Sequence, residues 1–163
     1  MAQNPSVLQL EQCILTGLHI EPNVESQPES PQDAIVDIAV TSDIRQHQTD
    51  LKYMVTAIFT ATWAEHSFFI DRIEVGLRGI FSFPVGTSED VIASYVPVLC
   101  VANLYGTARG IVAQATGICP GGVYWLPLLD MNAVLQQKND DTTPEQKPKS
   151  RGRKRVTKVV NEE

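Results

Sequence analysis

The sequence predicts an α+β fold: a four-stranded antiparallel sheet with a long helix and a short C-terminal helix on one face, in an oligomer. Three observations predict it. Four segments before residue 84 alternate apolar and polar residues with period two, as half-buried strands do. After residue 87 that alternation stops and small and apolar residues run on without it. Between Asp90 and Asp130 the only charged residue is Arg109, so this region has to be covered by something: its own sheet, a second subunit, a membrane or a client.

In Val7–Glu21 the even positions Leu8, Leu10, Ile14, Leu18 and Ile20 are apolar, and in Ala34–Thr41 they are Ala34, Val36, Ile38 and Val40. Leu51–Glu65 sets Tyr53, Val55, Ala57, Phe59, Ala61 and Trp63 against Lys52, Thr56, Thr60 and Thr62. Ser67–Phe83 sets Phe69, Ile73, Val75, Leu77, Phe81 and Phe83 against Arg72, Glu74 and Arg78. Their order predicts an antiparallel meander with one apolar face. Pro22–Asp33, with three prolines, reads as a linker, and Asp43–Asp50 as a polar turn.

Thr87-Ser88-Glu89-Asp90 reads as a helix start, with Ser88 the N-cap and two acids at the positive end of the dipole. The helix is expected to run to Thr116 with a bend or break at Pro97. A loop containing Cys119-Pro120-Gly121-Gly122 follows, then a short helix over about Asp130–Lys138. One sheet face can occupy only one side of the long helix, so its other apolar side is expected to meet another subunit.

Val91–Ala108 is long enough to raise a membrane span, which takes ~18–20 apolar residues. Ser94, Pro97, Asn103, Gly106 and Thr107 interrupt it, and no transmembrane segment is expected. Met1–Glu11 lacks a basic and apolar leader pattern. Cys13, Cys100 and Cys119 form no Cys-x-x-Cys pair, which fits a reducing compartment. The expected location is the cytoplasm.

Catalytic patterns are missing. His19, His47 and His66 stand apart without metal-ligand spacing, and no Gly-x-Ser-x-Gly, phosphate-binding loop or dinucleotide fingerprint occurs. Asp71 and Glu74, three apart in a strand, face opposite sides. The expectation is a binding protein that is not an enzyme and needs no cofactor or metal.

Charge divides the chain. Residues 1–143 hold six Lys or Arg against sixteen Asp or Glu, a net −10. Residues 144–163 hold seven against three, a net +4. Lys147, Lys149, Arg151, Arg153, Lys154, Arg155 and Lys158 supply the basic run. A polar, Pro-containing tail over 139–163 is expected to be disordered. It is either a plain solvated tail or a docking element for an acidic partner, the chain's own acidic body, an anionic membrane surface or nucleic acid.

Three blocks carry a family resemblance. Glu74-Val75 followed by Gly79-Ile80-Phe81-Ser82 resembles the strand of the bacterial export chaperone SecB that ends in Glu-Val-x-x-x-Gly-Ile-Phe. Asn103-Leu104-Tyr105-Gly106-Thr107-Ala108-Arg109 sits where that family has Leu-Phe-Pro-Tyr-Ala-Arg. Leu126-Pro127-Leu128-Leu129-Asp130-Met131-Asn132-Ala133 resembles its Leu-x-Pro-Val-Asn-Phe-Asp-Ala. The blocks fall in family order, so residues 1–138 are expected to form one SecB-like domain. Gly106, Thr107 and Gly110 replace the family's Pro, Tyr and Glu, and Val123-Tyr124-Trp125 replaces its Phe-Pro-Pro-type lid.

The resemblance implies a homotetramer, a dimer of dimers, that binds unfolded or preprotein clients without ATP during protein export. It also implies grooves between sheet and helices, and an acidic sheet surface that docks the translocation motor SecA. Glu21 and Glu74 match acidic motor-contact positions, and Gly17 falls at a third. Tyr124, Trp125 and Leu126 are expected to form a mobile apolar flap for clients, over a floor of Ile73, Val75 and Leu77. A SecB-fold adaptor with one dedicated partner, antitoxin-type or other, is the alternative.

Overall fold

A computed structural model describes residues 8–23, 35–47, 51–63, 69–119 and 122–135. Four strands precede the helices: β1 (Gln9–Pro22), β2 (Val36–Gln46), β3 (Lys52–Trp63) and β4 (Ile70–Ser82). The helical part comprises α1 (Glu89–Tyr95), a π-helical turn at Val96–Cys100 and α2 (Val101–Thr116). A last helical turn lies at 131–135.

The sheet is antiparallel throughout, in the order β1-β4-β3-β2. β2, β3 and β4 form the expected meander. β1 instead pairs with β4 on the far edge, because alternation reports which face a residue takes and not which strand lies beside it. The Asn23 side chain donates to Asp71 Oδ1 at 2.7 Å and its amide to Phe69 O at 2.8 Å, fastening the end of β1 to the start of β4. β2 continues through Ile44, Arg45 and Gln46 opposite Val55, Met54 and Tyr53, so the expected polar turn begins only after it.

Breaks in the β1 register between Leu10 and Gln12 and between Leu15 and Gly17 change which side chains face the helices. Each inserts an unpaired residue and flips the alternation. Leu10, Leu15 and Leu18 lie opposite Phe81, Leu77 and Val75 and so share the helix-side face. Ile14, expected with them, is opposite Arg78 on the other face. All four side chains are exposed.

The core lies between β3, β4 and the helices. Val55, Ala57, Phe59, Ile73, Val75, Leu77 and Phe81 face Ile92, Cys100, Val101, Leu104, Ala108 and Val112. Burying a side chain such as Leu77 or Leu104 contributes roughly 1.5–3 kcal/mol. Gly79 explains itself here: a Cβ on it would stand 2.5 Å from Phe81 Cε2 and 3.0 Å from Leu104 Cδ2. The bare glycine lets the Phe81 ring and the helix close onto the sheet.

Ser88 precedes α1 with extended backbone but makes no side-chain cap bond. Pro97 has no N–H to give the carbonyl four residues back, and the chain accommodates it by widening to a π turn without leaving the helical path. The run Glu89–Thr116 is long and apolar enough to cross a membrane. In this fold one side of it is buried on the sheet. At the last turn, Asp130 Oδ1 accepts from the Asn132 amide at 3.0 Å, an N-cap.

Candidate functional site

After α2 the chain turns through Gly122, whose φ of +75° suits glycine, and runs back over the helix as an extended strap, residues 122–130. Over 123–126 alternate side chains take opposite sides, as in extended chain, and Leu128 breaks that phase beyond Pro127. Tyr124 and Leu126 turn inward: Leu126 is 2% exposed, and Tyr124 meets the Trp63 ring edge-on at 5.1 Å. Val123, Trp125 and Leu128 turn outward, 60%, 59% and 82% exposed.

Three polar side chains on α2 fasten this strap. The Tyr124 amide donates to Thr116 Oγ1 at 2.8 Å, and the same hydroxyl donates to Val112 O at 2.8 Å. Arg109 Nε donates to Leu126 O at 2.7 Å, and the Tyr105 hydroxyl to Pro127 O at 2.8 Å. Residues 105, 109 and 116 are four and seven apart, which places them on one stripe of a helix. The guanidinium carbon of Arg109 also lies 6.0 Å from the centre of the Trp125 ring, within cation–π reach.

Burial pushes the Tyr105 phenol up to about 12; Arg109 opposes the rise and Tyr124 adds to it. Burial likewise raises the Tyr124 phenol. Tyr105 therefore stays protonated as the donor that Pro127 requires.

The expected client residues separate into two groups. Ile73, Val75 and Leu77 are buried beneath α2, which corrects their assignment as an open floor: the helix that they support covers them. Leu126 is also buried, Tyr124 is half-buried, and Trp125 alone of the expected trio presents its ring to solvent. The expected mobile flap is bonded to the helix at three points. Arg109, Tyr105 and Thr116 were not expected to matter here; the isolation of Arg109 in an uncharged run and the 4/7 spacing were the available signals.

Glu21 and Glu74 lie on the sheet face away from the helices. Glu74 accepts from Arg72 at 2.6 Å, and Arg72 stands opposite Glu21 across the β1–β4 register. Arg78 lies opposite Ile14 on the same face, so this surface mixes charges and is not simply acidic. His66, Gly121 and the basic residues Lys147 to Lys158 lie outside the described residues. Among the described residues no cluster of His, Cys, Asp and Glu could hold a metal ion.

Further surfaces are open among the described residues. A cleft of about 420 Å³ between the sheet and the π turn is lined by Ile44, Leu51, Tyr53, Ile92, Val96 and Pro97, among others. Beside α2, the helix-side leucines of β1 are uncovered, and a Cβ on Gly106 or Gly110 would meet nothing within 4 Å.

The fold has a counterpart among solved structures. A SecB-like chaperone of Mycobacterium tuberculosis, in complex with a ChAD peptide from the HigA1 antitoxin, superposes with a TM-score of 0.57 at 14% identity, over 76% of this chain and 91% of that one. The fold is SecB-like. A Streptococcus agalactiae protein of unknown function has a TM-score of 0.42 at 12% identity, over 74% of this chain and 97% of that one. No family model and no curated protein matches the sequence. The SecB-like fold therefore rests on the structural superposition.

Proposed function

We propose that this protein is an ATP-independent holdase that binds non-native polypeptides. One observation carries the reading: an extended strap, its backbone fixed to α2, turns Val123, Trp125 and Leu128 into solvent. Exposed apolar side chains grouped on a fixed backbone mark a protein-binding surface. Unfolded clients offer the complementary apolar side chains, and a binder of non-native states withholds them by mass action without chemistry. No catalytic step or cofactor is assigned.

A SecB-fold adaptor with one dedicated partner is the second reading, favoured by the antitoxin peptide bound to the mycobacterial structure. Self-association belongs to both readings. The uncovered β1 leucines and the open Gly106–Gly110 side of α2 suit a second copy, and a dimer of dimers is what the SecB resemblance implies. Export and cytoplasmic location follow from the same reading. Motor docking through Glu21 and Glu74 receives less support, because Arg72 engages Glu74. The basic tail is assigned to an anionic partner, nucleic acid included.

The test is suppression of aggregation when a denatured model protein is diluted into the full chain at near-stoichiometric oligomer, alongside Trp125→Ala. The holdase reading expects suppression of several unrelated clients, weakened by Trp125→Ala with the light-scattering mass unchanged. Failure with every client from an intact oligomer would transfer the assignment to the dedicated-partner adaptor.

A further inference from the structure

Arg109 is the only charge between Asp90 and Asp130, and it lies half-buried at the contact between α2 and the strap. Its Nε is committed to Leu126 O at 2.7 Å while the guanidinium carbon lies 6.0 Å from the Trp125 ring centre. The backbone bond fixes the plane of the guanidinium, and a fixed cationic plane beside an indole restricts where the ring can lie. Tyr105 and Thr116 hold the strap on either side of this point through Pro127 and Tyr124. Trp125 itself is 59% exposed and inherits little restraint from packing.

We propose that Arg109 is a positioning residue for Trp125: it holds the indole in a preset outward pose, so that the strap meets its client as a fixed rail and not as a closing flap. The proposal rests on the reading of the strap as the client-binding element. A preset aromatic anchor loses less conformational freedom on binding than a free one. Lysine keeps the charge and has three donors, but they sit on one flexible, point-like ammonium without the planar fork that can bond the carbonyl and lie beside the ring at once. Arg109→Lys should therefore release the indole.

Incorporation of 5-fluorotryptophan gives a fluorine resonance for each of Trp63 and Trp125, assigned with Trp125→Phe. In Arg109→Lys and Arg109→Ala the Trp125 resonance is expected to move toward the free-indole position while that of Trp63 stays. Affinity for reduced, carboxymethylated α-lactalbumin should fall about two- to fivefold, the size of one exposed cation–π contact. The double variant with Trp125→Ala should bind no more weakly than Trp125→Ala alone. An unmoved Trp125 resonance in both variants, or additive losses in the double variant, would overturn the proposal. If Trp125→Ala binds this client like wild type, the strap's role in client binding fails by itself while the holdase reading stands, and the fluorine shifts still decide the positioning role.

Discussion

Thr116→Val isolates one hydroxyl at nearly constant volume. Thr116 is fully buried at the end of α2, and its Oγ1 is the acceptor for the Tyr124 amide at 2.8 Å. The hydroxyl also donates to Val112 O, but that carbonyl has its own helical amide and loses little. The loss therefore falls on the Tyr124 amide, half-buried against Trp63. Leaving such a donor unsatisfied costs about 1–3 kcal/mol, and the added methyl returns part of it through apolar burial. The expected net loss is about 1–2 kcal/mol, or roughly 3–8 °C in Tm for a domain of this size. Urea unfolding at one fixed protein concentration measures it, with fluorescence reporting the tryptophans. Thr116→Ser, which keeps the oxygen, should recover the strap and lose only a methyl group's worth of packing. A valine variant as stable as wild type would show that this hydroxyl does not anchor the strap.

Other expectations follow from the packing and the charge. Gly79→Ala places a methyl in the Phe81 ring and against Leu104, and overpacking of this kind should cost about 1–3 kcal/mol in urea unfolding. Burial pushes the Cys100 thiol up to about 12 from an ordinary 9.0, so the unfolded chain releases this proton first as pH rises. Stability from this site is complete below pH 9 and should drain away between pH 9 and 12. Cys100→Ala should flatten that part of the pH profile of the urea midpoint. Deleting residues 144–163 should abolish binding to a DNA duplex at low salt, and the full chain's affinity should fall steeply between 50 and 200 mM salt. Salt-independent binding would count against the tail as the contact.

Much of the architecture was legible because burial imposes a period. β3 and β4 are covered on one face and paired on both edges, so alternation matches environment throughout β3 and, Gly76 apart, from Arg72 to Ser82 in β4. β1 was legible as a strand but not in its facing, since local sequence does not announce the register break after Leu10 that exchanges the faces of Ile14 and Leu15, nor the one after Leu15 that restores them. Its place beside β4 was hidden for a related reason: pairing depends on which strand is near, a tertiary fact. Pro97 announced an irregularity but not its form, because a break, a kink and a π turn all answer the same missing donor.

The site was half legible. Trp125 was expected to be exposed from its glycine-bounded loop, and it is. The loop's attachment to α2 was invisible because its fastenings come from Tyr105, Arg109 and Thr116, eight to twenty-two residues away in sequence. Ile73, Val75 and Leu77 were assigned to a floor on hydrophobicity alone, which does not distinguish a groove from the core beneath it.

The strap also has a consequence for how this protein can change. Its inward positions and its main chain make the bonds to α2, whereas Val123, Trp125 and Leu128 contribute little to the buried interior. Residues at those three positions are thereby uncoupled from folding. A combinatorial library at 123, 125 and 128 should yield mostly folded variants that differ in what they bind. Recognition could then drift over generations, or be redirected by selection in the laboratory, while the scaffold keeps its stability.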